Sequence, residues 1–234
     1  GVPLSFPRDH AEHPTYRNEW WYLTGNLQDQ ADPQRRFGFQ LTLFRFALAP
    51  PTIAAESVRS TAPAKNPWLV PQFYMAHFAI THIAEAEHRA AERFSRQGPG
   101  LAGAQLRPLD EPLRVWLGDW QMAAQSAEAL MPMTVAARDD DQQIALQLDL
   151  SAVKPLVLQG KQGYSRKNRE GGASYYYSYP RLAATGELDW QQRRYQVQGE
   201  AWFDHEWSSN SLASYQAGWD WFSLQLSDGS ELMY

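Results

Sequence analysis

Tyr195-Gln196-Val197-Gln198-Gly199-Glu200-Ala201-Trp202-Phe203-Asp204-His205-Glu206-Trp207-Ser208-Ser209 carries the alternation that decides the fold. Tyr195, Val197, Gly199, Ala201 and Phe203 fall on one side of a pleated strand, and Gln196, Gln198, Glu200, Trp202 and Asp204 on the other. A period of two is a strand, not a helix. The end of the run is the anomaly: Asp204, His205 and Glu206 crowd between Trp202 and Trp207, and Gly218-Trp219-Asp220-Trp221-Phe222 soon repeats the mixture. Indoles go inside, whereas acids and histidines do so only when paired or used.

Working outward, the same period recurs. Glu19 to Leu27 reads as a strand, and Phe37 to Phe46 places Phe37, Phe39, Leu41 and Leu43 on one face, giving a first hairpin. Pro50 to Pro71 reads as a long excursion over a barrel mouth or rim. Phe73 to His82 is apolar on both faces, as if packed on both sides, and His77 within it reads more readily as a core histidine than as a catalyst. From Leu113 hairpin follows hairpin, with turns at Gly118-Asp119, Asp139-Asp140-Asp141 and Gln191 to Arg194. Gly160 to Gly172 lacks phosphate-loop spacing and reads as an exposed rim loop, and Ser174 to Tyr179 puts Tyr175 and Tyr177 opposite Tyr176. Trp219 to Leu226 reads as a strand leading through Asp228-Gly229 into a hairpin that begins a further domain.

Helical periodicity is weak throughout. About ten strands in sequential hairpins predict an all-β antiparallel barrel or curved sandwich, and closure at about eight strands leaves an interior for one small ligand. The expected division is a β-domain over 1–207, then a linker and the first hairpin of a second, truncated domain over 208–234.

Composition narrows the function. The 234 residues carry a net charge of −5 and no cysteine, which argues against nucleic-acid binding and removes disulfides, thiolate catalysis and the usual structural zinc. No apolar run reaches the length of a membrane helix. The 13% aromatic share, with 10 Trp and 11 Tyr, suits half-buried sheets or an aromatic-lined site. Asp9-His10-Ala11-Glu12-His13 is flanked by prolines and reads as a capping or surface loop rather than a metal site. No signal peptide begins the sequence, and Gly1 is compatible with a mature end after leader removal. Neither metal nor cofactor is called for.

Candidate chemistry gathers where acids meet indoles. If Trp219 to Leu226 is a regular strand, Asp220 lies among Phe222, Leu224 and Leu226 and is desolvated, the state a general acid needs; the structural alternative has it knitting strands together. His205 shares a face with Trp207 and is either an acid or base against an aromatic wall or a hydrogen-bonded strand end. Asn18-Glu19-Trp20-Trp21-Tyr22 repeats the theme on the first strand, which neighbours the last strand of a closed barrel, so the two clusters are expected to meet. A nucleophile elbow is lacking around Ser208-Ser209.

The run Asp9 to Leu27, with Asn18-Glu19-Trp20-Trp21-Tyr22 inside it, resembles the opening of the AttH-like proteins, lipocalin-like relatives of carotenoid 1,2-hydratase (hydroxyneurosporene synthase). So do Tyr74-Met75-Ala76-His77-Phe78-Ala79, Ser165-Arg166-Lys167 through Ser174-Tyr175-Tyr176-Tyr177-Ser178, and Trp202 to Trp207 with Gly218 to Phe222. The resemblance implies two successive lipocalin-like (calycin) domains, a hydrophobic ligand of isoprenoid or lipid-like kind, and an exported protein, periplasmic or envelope-associated in a bacterium, with an envelope transport system as an associate. It extends hydratase-type roles to His205, Trp207, Asp220 and Tyr234. Glu19, Trp20, Trp21, Tyr22, His77, Tyr176, Trp202, Asp204, Trp219 and Trp221 complete the expected ligand site. Two functions follow: binding of a hydrophobic small molecule in an aromatic-lined site at the domain junction, or acid-catalysed addition of water to an isoprenoid double bond, with indole faces steadying the cation.

Overall fold

The computed structural model describes residues 2–48, 72–104, 111–209 and 212–234. The Pro50 to Pro71 excursion lies outside them. A single 3-10 turn, Arg8–His10, precedes an almost wholly β chain. Its strands are β1 (Asn18–Asp29), β2 (Arg36–Ala47), β3 (Gln72–His82), β4 (Glu87–Arg96), β5 (Ala102–Ala104), β6 (Arg114–Leu117), β7 (Trp120–Ala124) and β8 (Met133–Asp139). They continue as β9 (Ile144–Ala152), β10 (Val157–Leu158), β11 (Tyr164–Arg166), β12 (Ala173–Trp190), β13 (Arg193–Ser208), β14 (Ser223–Gln225) and β15 (Glu231–Met233). No described helix is long and apolar enough to cross a membrane.

One antiparallel sheet takes up β1 to β13 in the order β4, β3, β2, β1, β13, β12, β9, β8, β7, β6, β5, with β10 and β11 added to β12. The first long strand therefore pairs with the last, joining Glu19 to Trp207, Trp21 to His205 and Tyr22 to Asp204 in register. Pro180 cannot donate to a ladder, and the β12–β13 register shifts between Tyr179 and Leu182. On one side of that shift β12 pairs with β9, and on the other with β10 and β11. Gly199 faces β1 so closely that a Cβ would strike the Asn26 carbonyl. Only glycine lets the strands meet there.

The outermost long strand, β4, returns to the far end of the sheet through side chains. Arg93 lies 4.3 Å over the Trp120 ring, donates to the Arg138 carbonyl at 2.8 Å and pairs with Asp119. Arg89 reaches the Gln142 carbonyl at 2.9 Å. The result is a nearly closed, barrel-like sheet. Its interior is filled rather than hollow along its core: Trp21, Phe39, Phe78, Trp120, Leu148 and Trp190 belong to one contiguous buried cluster drawn from both halves of the sheet. Among the described residues the centre of the barrel is occupied by large side chains.

Two local expectations are corrected. β3 is buried on one face only, since Phe73, Met75 and His77 on its other face are half-exposed. Of Trp219 to Leu226 only Ser223–Gln225 pairs as a strand, with β15, and Asp220 is exposed, because no neighbouring strand covers the 217–220 segment.

If side chains close the barrel, Arg93→Ala should cost about 2 kcal/mol in urea unfolding, whereas removing the exposed Arg36 should cost under about 0.5 kcal/mol. Equal losses would show that the seam does not depend on Arg93.

Candidate functional site

Adjacent strand residues point to opposite faces, so Asp204 and His205 belong to different environments. His205 turns inward with Trp21, Tyr177 and Trp207; Asp204 turns outward with Tyr22 and Ser178.

The inner cluster centres on Glu19, which is fully buried. Its Oε1 meets His13 Nδ1 at 2.7 Å and His205 Nε2 at 2.8 Å, and its Oε2 accepts from Arg45 Nε and the His13 backbone N–H, both at 2.8 Å. Burial opposes a charge on Glu19, but Arg45 and His13 outweigh it and hold the carboxyl well below its ordinary range. The 3-10 turn and the residues after it bring Asp9, His10, Glu12 and His13 onto this end of the barrel. His13 resists protonation through burial, yet Glu19 and Asp9 together raise it. It stacks on Trp207 with centroids 3.7 Å apart. His205 is driven the other way, down to about 4, by burial against the pull of Glu19. A neutral His205 that donates Nε2–H to Glu19 has a bare Nδ1, so Tyr177 donates to it at 3.0 Å and accepts from His10 Nδ1 at 2.7 Å. His10 is also neutral, pushed down to about 3 by burial.

His13, Glu19 and His205 place one ligand atom each within 4.8 Å of one another, the donor set of a two-histidine, one-carboxylate metal site. The contacts at 2.7 and 2.8 Å are hydrogen-bond lengths, and the Arg45 cation occupies the other carboxylate oxygen. As arranged, the group is a salt-bridged knot whose acceptors are filled. A shallow depression of about 110 Å³ opens beside it, between His13, Tyr16, Tyr175 and Trp207.

The outer cluster centres on Asp204. Ser178 Oγ and Trp202 Nε1 reach its Oδ1 at 2.5 and 2.7 Å, and Gln159 supports Ser178 at 2.9 Å. Burial pushes the carboxyl up to about 7 against the hydrogen bonds of Ser178 and Trp202. Tyr176 accepts from Trp221 Nε1 at 3.2 Å and donates to Met233 Sδ at 3.1 Å, tying the C-terminal hairpin over the acid. Glu231 fastens that hairpin to Lys154 and Arg181, both at 2.7 Å. Beside Asp204, the outer face of β1, β13 and β12 and the 221–225 segment enclose an open cleft of about 960 Å³ with Tyr22, Trp202 and Trp221 at one end.

The sequence profile of AttH-like proteins matches residues 1–234. The chain belongs to the AttH-like family. A crystal structure of an AttH protein from Nitrosomonas europaea is 32% identical with a TM-score of 0.79, and the match covers 100% of this chain and 64% of that one. The chain thus spans under two thirds of that relative. Kievitone hydratase from Nectria haematococca, 10% identical with a TM-score of 0.61, covers 99% of this chain and 68% of its own, and shows a shared fold. No curated protein matches.

In this AttH-like chain the expected site residues divide. Glu19, Trp21, His205 and Trp207 meet inside the barrel; Tyr22, Tyr176, Trp202, Asp204 and Trp221 meet outside it. Trp20 is half-buried on the outer face. His77 stands apart on β3, half-exposed, with Glu92 at 3.9 Å. Trp219 and Tyr234, 75% and 84% exposed, join neither cluster, and the desolvation anticipated at Asp220 falls on Asp204 instead. Sequence reading passed over Asp9, His10, Glu12, His13, Arg45 and Tyr177. Arg45 left a signal, as a charge on the buried face of Phe37 to Phe46; the histidine-rich run at residues 9–13 was another, read as surface.

Glu19→Gln leaves the buried Arg45 and the His13 imidazolium without their anion, so chemical unfolding should show a loss of about 3–5 kcal/mol; a loss below about 1 kcal/mol would mean that the knot is dispensable. For Asp204 the native state keeps a proton to about pH 7 that an unfolded carboxyl releases near 3.8. Its contribution to stability therefore falls as pH rises through that window. Glu12, raised by burial to about 7, adds a slope of the same sign, so the observable is a difference. Asp204→Asn should remove up to one proton of linkage between pH 4 and 7, and identical pH profiles for the two proteins would refute the assignment.

Proposed function

We propose that this part of the protein binds a hydrophobic small molecule, isoprenoid or lipid-like, in the outer cleft between the β1, β12, β13 face and the C-terminal segment. One observation carries the proposal: a cleft of about 960 Å³, with indole and phenol rings at one end, stands beside a barrel whose core is packed with side chains. That volume is of the order used for drug-sized ligands, and sites of this kind pair apolar walls with a few placed polar groups. A bacterial envelope setting belongs to the same proposal.

A second reading, acid-catalysed addition of water to an isoprenoid double bond, is favoured by Asp204. Its neutral carboxyl, held near 7 at the aromatic end of the cleft, supplies a proton donor, and the Trp202 and Trp221 faces supply the cation–π surface on which a tertiary cation would be steadied by about 2 kcal/mol. Asp204 lies behind those indoles rather than on the cleft wall, so proton delivery requires the Trp221 and Met233 cover to shift. On the opposite face the protonated imidazole is His13, stacked on Trp207, while His205 is neutral.

Farnesol titrated against tryptophan fluorescence, with native mass spectrometry as a check, tests the binding. Trp221→Ala should weaken farnesol about tenfold with the circular dichroism spectrum unchanged. A folded protein that takes up neither farnesol nor longer isoprenoids would end the proposal. For the second reading, incorporation of ¹⁸O from labelled water into isoprenoid alkenes should be lost in Asp204→Asn. Incorporation that survives there but disappears in His13→Gln would move the proton donor to the inner knot.

A further inference from the structure

The cleft is chemically graded along its length. At one end Tyr22 pairs in register with Asp204, and Thr24 with Trp202, beneath Trp221. Two rows further Asn26 pairs with Glu200 and Gln28 with Gln198, which is itself in register with Thr185 on β12. Rows two residues apart are about 7 Å apart, so Tyr22 and Gln28, three rows apart, lie about 20 Å from each other. The change in character is thus built into three adjacent strands and does not depend on one side chain.

The far end is polar but almost uncharged. Asn26, Gln28, Gln198 and Thr185 line the cleft, and their side chains make no hydrogen bond among the described residues. Carboxamides offer donors and acceptors together, as hydroxyl groups do. Glu200 is neutralised by Arg181 at 2.7 Å, which leaves Arg36 as a cation at the rim. Between the two ends the outer face carries Thr24 and Ala183, whose small side chains keep the floor low there.

Resting on the cleft reading above, we infer that the ligand is amphipathic: an apolar chain or ring at Tyr22, Trp202 and Trp221, joined to an uncharged, hydroxyl-rich group, such as a sugar, on Asn26, Gln28 and Gln198. A purely hydrocarbon ligand would strip water from these amides without replacing its hydrogen bonds. An anionic head would have Arg36 as its partner but would leave the amide acceptors facing negative charge.

Three probes with the same octyl chain separate the alternatives: octyl β-D-glucopyranoside below its micelle concentration, 1-octanol and octanoate, each measured by calorimetry on the whole chain. The glucoside should bind about tenfold more tightly than octanol. The double variant Asn26→Ala, Gln198→Ala should bring the glucoside to within about twofold of octanol while leaving octanol unchanged, and Trp221→Ala should weaken both. Octanol equal to the glucoside in the wild type, or octanoate as the tightest probe, overturns the inference while the cleft remains a binding site. Failure of all three probes, with farnesol also failing, removes the cleft reading itself. Farnesol binding alone removes only the amphipathic ligand.

Discussion

Glu19 is an ionised carboxylate with no contact with water, and that condition holds only because four donors converge on two oxygens. Removing a carboxylate from water costs several kcal/mol, and Arg45 beside it carries the same penalty with opposite sign. Each therefore requires the other. Because two of the donors come from His13, the N-terminal segment is held against the barrel end by the same bonds. Tyr74, which pairs in register with Arg45, donates to Glu12 at 2.9 Å and extends the hold to β3. The local stacking of His13 on Trp207 and of Trp21 on His205 fits around this requirement.

The same strands carry a second set of polar groups on their outer surface, and the two sets differ in electrostatic character. Inside, opposite charges are brought together and Glu19 is kept ionised. Outside, Asp204 has a hydroxyl and an indole donor but no cation bonded to it, so burial prevails and the acid retains its proton near neutral pH. Two carboxyls on neighbouring strands of one sheet thus sit in opposite protonation states. Neutral donors offset only part of the desolvation that a full cation offsets. The saturated ion pair at the barrel end anchors chain segments, whereas the neutral acid is held by a hydroxyl and an indole beneath the Trp221 and Met233 cover.

Much of this was legible in advance. The alternation of Phe37 to Leu43 and of Tyr195 to Phe203 specified faces that the structure keeps, and the pairing of first and last strands followed from barrel closure. The opposed directions of Asp204 and His205 needed nothing beyond the strand period. Asp220 was misplaced for a definable reason: its desolvation was inferred from alternation over Trp219 to Leu226, and alternation has consequences only where another strand lies alongside. The 9–13 cluster was read as surface because prolines mark loops, yet a loop folded over a barrel end is as dry as a strand. Arg45 broke the apolar pattern of its strand, but its partner is 26 residues away. Sequence distance hid the pair.

What the sequence alone determined is the antiparallel all-β architecture, the sidedness of its strands and the family, since these rest on local periodicity and on rare tryptophan motifs. Tertiary structure decided which carboxyl is charged, which histidine holds a proton, that the barrel core is packed with side chains among the described residues, and that a large cleft lies on its outer face. Charge state and cavity volume depend on how many donors and side chains arrive from distant segments, and a linear pattern records a residue's direction but not its company.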